Sequence, residues 1–173
     1  YRGVCVENGF EMKETDKERY LRNLLVEDFG EEGQRRLREG RVVVVGAGGL
    51  GSAALNYLTA CGTGTIRIVE DDTVSLSNLQ RQVLYTTPEL GASKAEAAAA
   101  RLSRLNPGCR IELSECRLTE ENAGELLDGF DVVVDCTDNY AARYAIDGFC
   151  AAHRVPMVYG TAEQTGGQVS VFH

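Results

Sequence analysis

Apolar residues in this chain recur in two rhythms. Four consecutive valines at 42–45 form an unbroken run, which predicts a strand buried on both faces. Residues 65–70 (TIRIVE), 109–114, 130–136 (FDVVVDC) and 156–159 read as further strands, and 168–172 alternates as an antiparallel edge strand does. Between them the apolar period lengthens to that of a helix. The pattern predicts helices at 50–61, at 92–105 before Asn106-Pro107-Gly108, at 120–127 and at 140–153. Ahead of the valines, a helix capped by Asp16 would put Tyr20, Leu21, Leu24, Leu25 and Phe29 on one side. A second short helix at 31–38 would then end at Gly40.

Strand, helix and strand in that order make a βαβ unit, whose right-handed crossover gives a parallel sheet with ligands at the carboxyl ends of the strands. The fold class expected is therefore α/β: a Rossmann-like, mostly parallel sheet with helices on both faces and an antiparallel edge at the C-terminal end. Residues 1–13 carry no periodic pattern and do not begin with Met, so 1–15 read as a tail and 16–173 as one domain.

The junction between the valine strand and its helix is GAGGLGS. Gly46 suits a tight turn, Gly48 and Gly49 leave backbone N–H groups open to an anion, and Gly51 permits close helix-to-sheet packing. The same letters satisfy G-x-G-x-x-G, so the loop alone leaves ATP and NAD open. Glu70, 19 positions after Gly51 at the end of the second strand, is placed to accept hydrogen bonds from ribose hydroxyls, or is simply a charged strand end.

Charge makes individual cations informative. The net charge of −8 argues against nucleic acid and against membrane surfaces, so a polyphosphate needs a local convergence of cations. Asn78 and Arg81, spaced i, i+3, suit one ligand or a surface turn. Lys94 falls in the first turn of a helix, where it opposes the macrodipole by about 0.3 to 1 kcal/mol. An anionic ligand would favour it, and the alternative is an exposed lysine. Asp138 or Asn139 could cap the next helix, worth about 1 kcal/mol, or a carboxylate there could hold Mg²⁺ beside a polyphosphate. Arg19 and Arg22 read as a solvated helix face, with Glu18 and Arg22 as an i, i+4 pair. The six cysteines, at 5, 61, 109, 116, 136 and 150, contain no C-x-x-C pair and none sits beside His153 or His173, so no metal site is legible. Scattered cysteines without a membrane-length apolar segment fit a cytoplasmic setting.

Taken together, RYLRN at 19–23, GAGGLGS at 46–52, DDTVSLSNLQRQ at 71–82, Lys94 and DCTDN at 135–139 resemble the adenylating (E1-like) family that includes ThiF, MoeB and the ubiquitin-activating enzymes. The resemblance implies ATP with Mg²⁺ as cofactors. It implies a nucleotide held by Gly46, Gly48, Gly49, Gly51, Glu70, Asp72, Ser77, Asn78, Leu79, Gln80, Arg81, Lys94, Asp138 and Asn139. Arg22, Arg81, Lys94 and Asp138 would carry catalysis, with Asp138 managing the metal and Arg22 reaching into the partner's site of a homodimer. The activity implied is adenylation of the C-terminal carboxylate of a ubiquitin-like sulfur carrier ending in Gly-Gly. An NAD-dependent oxidoreductase and a non-catalytic scaffold subunit are the alternatives. The family usually has Asp where this chain has Glu70, whose longer side chain must retract or shift the ribose. Relatives continue past the position of His173 into a segment that often carries a zinc half-site and a transfer cysteine. Neither is in this sequence, and no zinc ligand is assigned.

Overall fold

The computed structural model describes residues 12–173, and most of the expected tail, with Cys5, lies outside the described residues. Six strands form one sheet in the order β3-β2-β1-β4-β5-β6. The valine run is β1 (Arg41–Val45), at the middle. It pairs in parallel with β2 (Thr65–Val69) from Arg41 opposite Thr65, and with β4 (Val132–Asp135) from Val42 opposite Val132. Strand β3 (Arg110–Ser114) extends the parallel sheet beyond β2, and β5 (Met157–Glu163) extends it beyond β4. Strand β6 (Gly166–Phe172) returns antiparallel along β5, so the expected edge is present. The fold is Rossmann-like, with its switch point where the crossovers diverge between β1 and β4.

Helices cover both faces. On one, Val44, Ile66 and Ile68 pack with Leu55 of α4 (Gly49–Ala60) and with Ala98 and Leu102 of α5 (Lys94–Leu105). On the other, Val43, Val45 and Val133 meet Leu126 and Leu127 of α6 (Ala123–Leu127) and Ile146 and Phe149 of α7 (Tyr140–His153). Alternate valines of β1 thus serve two cores, which is why the run has no polar position.

Several expected boundaries move, each for a tertiary reason. The first helix is broken in two: α1 (Glu14–Arg19) starts before Asp16, Tyr20 leaves helical geometry at ψ 13°, and α2 is only Leu21–Leu24. Tyr20 is buried, and its hydroxyl accepts a hydrogen bond from Asn106 at 2.8 Å. Asp16 pairs with Arg38 instead of capping, while Leu21 and Leu25 of the expected apolar side are 50% and 67% exposed. The next helix, α3 (Gly30–Glu39), keeps its expected place. Helix α6 begins three residues late because the Asn122 side chain holds a turn, accepting from the Thr119 N–H and donating to the Arg117 carbonyl. Strand β5 runs on through Gly160, joined to β6 by a two-residue turn with Gln164 at φ 50°.

Candidate functional site

The carboxyl ends of β1, β2 and β4 open into a crevice of about 690 Å³. Its floor is the glycine loop. Gly46 adopts φ +91°, and a Cβ there would stand 2.8 Å from the Cys136 carbonyl oxygen. A Cβ on Gly51 would stand 1.9 Å from the Gly46 carbonyl oxygen. These two glycines are demanded by the fold. Gly48 and Gly49 are not: a Cβ at either would meet only side-chain atoms of Gln82 or Arg81, at 3.5 Å or beyond. The space above them is open, and the N-terminus of α4 faces it with unpaired N–H groups suited to an anion.

Glu70 leaves β2 and turns back. Its carboxylate accepts from the Ala47 N–H at 2.7 Å and from the Asp72 N–H at 3.0 Å, so it braces the glycine loop while lining the crevice. Tyr85 fixes the same loop by donating its hydroxyl to the Ala47 carbonyl at 2.9 Å. Burial, reinforced by the charges of Glu70, Asp72 and Glu89, raises its pKa and keeps the phenol a neutral donor.

Lys94 is not the exposed lysine that its place in the first turn allowed. It is the first residue of α5, capped by Ser93, and it is 4% exposed, with its ammonium 2.5 Å from a carboxylate oxygen of Asp72. The hydrogen bond from Lys94 is the main cause that holds Asp72 below the usual carboxylate range. Arg81 extends over Gly49 and donates to the Ser77 carbonyl, while the side-chain amide oxygen of Asn78 is buried with no hydrogen-bond partner among the described residues. Both line the crevice.

The β4 end settles which neighbour caps α7. Asn139 accepts from the Ala142 N–H at 2.9 Å, leaving Asp138 exposed on the crevice wall with no side-chain hydrogen bond among the described residues. Beneath them Asp135 is fully buried. One of its oxygens accepts from the Thr137 N–H and hydroxyl, the other lies 3.8 Å from Arg143, and Arg143 donates to the Thr137 carbonyl and the Tyr159 hydroxyl. Burial, reinforced by the charge of Asp135, pushes the Cys136 thiol up to about 12.

Of the predicted site residues, Gly46, Gly48, Gly49, Glu70, Asp72, Asn78, Arg81, Lys94, Asp138 and Asn139 share the crevice. Gly51 supports it from below, and Ser77, Leu79 and Gln80 flank it without lining it. Arg22 is elsewhere: it is exposed on α2 and does not pair with Glu18, and Arg19 donates instead to the Leu105 carbonyl. Sequence reasoning missed Gln82, Arg117, Thr137, Arg143 and Glu163, which also line the crevice. Gln82 and Thr137 fall inside quoted motifs, so their spacing was a signal. Glu163 arrives with the unexpected length of β5.

The ThiF family model matches residues 20–173. The sulfur carrier protein adenylyltransferase of Thermus thermophilus is 49% identical over 156 residues, covering 90% of this chain and 58% of the relative. The SAMP-activating enzyme E1 of Haloferax volcanii is 44% identical over 156 residues with the same coverage. The chain thus spans a little over half the length of these relatives. Among solved structures, the tRNA N6-threonylcarbamoyladenosine dehydratase TcdA of E. coli in complex with AMP superposes with a TM-score of 0.81 at 26% identity, covering 87% of this chain and 61% of that one. Its complex with ATP gives 0.80 at 27% identity, covering 85% and 60%.

Proposed function

This chain belongs to the ThiF family of E1-like adenylating proteins, and from that premise we propose that it adenylates the C-terminal carboxylate of a ubiquitin-like sulfur carrier ending in Gly-Gly. The observation that carries the reading is the convergence of Asn78, Arg81 and Lys94 with Glu70 around an unobstructed glycine loop. A dinucleotide oxidoreductase uses the loop and the acid but has no evident need for this cluster, whereas a triphosphate does.

ATP lies with its ribose toward Glu70 and its phosphates over Gly48 and Gly49. The carrier's carboxylate, ionised at neutral pH, attacks the α-phosphorus and the bond to the β-phosphate oxygen breaks, giving acyl-adenylate and pyrophosphate without a general base. Arg81 and Lys94 spread the charge that develops on the transferring phosphate, and the fixed loop aligns the reactants. Asp72 keeps the Lys94 side chain aimed. The unpartnered, exposed carboxylate of Asp138 suits Mg²⁺, which would supply neutralisation of phosphate charge.

Arg22 belongs in this account as a residue given to a second copy. In its own chain it stands apart from the crevice, on a helix beside exposed Leu21, Leu25 and Val26. A twofold dimer that covers these side chains would bring Arg22 to the partner's phosphates. None of the described helices is long and apolar enough to cross a membrane, and the setting proposed is the cytoplasm.

Isothermal titration with Mg-ATP and with NAD, and ATP–pyrophosphate exchange with a Gly-Gly carrier, test the reaction. Micromolar NAD binding with none for Mg-ATP would overturn it. Mixing Arg22→Ala with Asp138→Ala under subunit exchange tests the dimer. With random pairing, activity should return to roughly a quarter of the parent's, because half the dimers are mixed and each holds one complete site. No recovery in verified heterodimers would remove Arg22 from the mechanism.

A further inference from the structure

Gln82 is 4% exposed, yet its amide makes no hydrogen bond among the described residues, and its carbonyl oxygen is fully buried without a partner. Buried amides are rarely left so. Its backbone is well held: the Gln82 N–H donates to the Asn78 carbonyl at 2.9 Å, and the Gln82 carbonyl accepts from the Tyr85 N–H at 3.2 Å. Tyr85 in turn is anchored to Ala47 of the glycine loop. The side chain therefore has one place to go, over Gly48, where its Nε2 lies 3.7 Å from the position a Cβ would take.

We propose that the Gln82 amide is a phosphate-binding group, donating from Nε2 to a non-bridging oxygen of the phosphate seated on the glycine loop. The inference rests on the nucleotide reading of the crevice and adds a residue to it. The chemistry fits a neutral donor. Arg81 and Lys94 supply charge, and Lys94 already answers to Asp72, whereas an uncharged amide over Gly48 can fix one phosphate oxygen without drawing carboxylates into the loop.

The test is equilibrium binding of AMP and of adenosine, each to the parent, Gln82→Met and Gln82→Glu, with thermal melts alongside. Met keeps the volume and removes the donor. Glu keeps the shape and sets a carboxylate against the phosphate. Gln82→Met should weaken AMP binding about 10-fold or more and Gln82→Glu about 100-fold, the range for losing a hydrogen bond to a charged group and for adding a like charge, with adenosine unchanged in both. Parental AMP affinity in Gln82→Met would overturn the assignment, and so would an equal loss for adenosine. A parent that binds neither AMP nor ATP would instead sink the nucleotide reading itself.

Discussion

Replacing Gly51 with alanine should damage the fold, while the same change at Gly49 should not, although the two sit only two positions apart in α4. A Cβ on Gly51 would fall 1.9 Å from the Gly46 carbonyl oxygen and 2.9 Å from its carbon. Gly46 cannot recede freely, since its N–H is bonded to Val69 and its own α-carbon faces the Cys136 carbonyl. The contact is backbone against backbone, so no side chain can rotate away, and the cost belongs at the upper end of overpacking, about 3 kcal/mol. For a chain of this size that is a fall in melting temperature of about 6 to 12 °C. At Gly49 an added Cβ meets only the flexible Arg81 side chain at 3.5 Å, at ordinary helical φ. Gly49→Ala should therefore leave the melting temperature unchanged or raise it, since removing a glycine from a compatible site gains about 0.4 to 1 kcal/mol through the unfolded chain. Differential scanning calorimetry on the two variants decides it. Equal melting temperatures would refute the claim that Gly51 is fixed by packing and Gly49 is not.

Arg81→Ala and Lys94→Ala should each slow carrier-dependent ATP–pyrophosphate exchange by roughly 10²-fold, and either variant exchanging at the parent rate would strip that residue of its role. Glu70→Ala removes the acceptor of the Ala47 and Asp72 N–H groups, so it should weaken Mg-ATP binding by about 1 to 3 kcal/mol in titration calorimetry; unchanged affinity would remove Glu70 from nucleotide binding. Because Lys94 depresses the folded pKa of Asp72 below its unfolded value, the stability this pair contributes is present above the usual carboxylate range. It is lost as pH falls through the folded value. Urea midpoints of the parent and Asp72→Asn should thus differ at pH 7 and converge on acidification, and a gap that widens in acid would contradict the pairing.

What the sequence made legible follows the range of the forces involved. The βαβ core could be read because Val42 to Val45 satisfy both faces at once and the glycines follow directly, a local pattern that the sheet does not override. The break at Tyr20 could not, because its cause is Asn106, 86 positions away. Lys94 shows the limit more sharply. Helix position alone allowed an exposed lysine, and burial became affordable only through Asp72, 22 residues earlier in the chain. At the β4 end the residue types left two caps open, and geometry assigned Asn139 the cap and left Asp138 free to face a ligand. Gln82 lay within a quoted motif, but only the turn through Asn78 and Tyr85 reveals where its amide stands.

The placing of β1 between β2 and β4 has a kinetic consequence. Val42 meets Ile66 after 24 residues but Val132 only after 90. That is nearly two doublings of loop length, so docking β4 costs about 1.2 kcal/mol more in closure entropy than docking β2. Closure entropy thus favours assembling the glycine loop, Glu70 and Lys94 on a half-sheet of β1, β2 and β3 ahead of Asp138. A chain paused at that stage would present an anion cradle with one wall missing. The crevice is complete only once the longest-range strand pairing in its walls has closed.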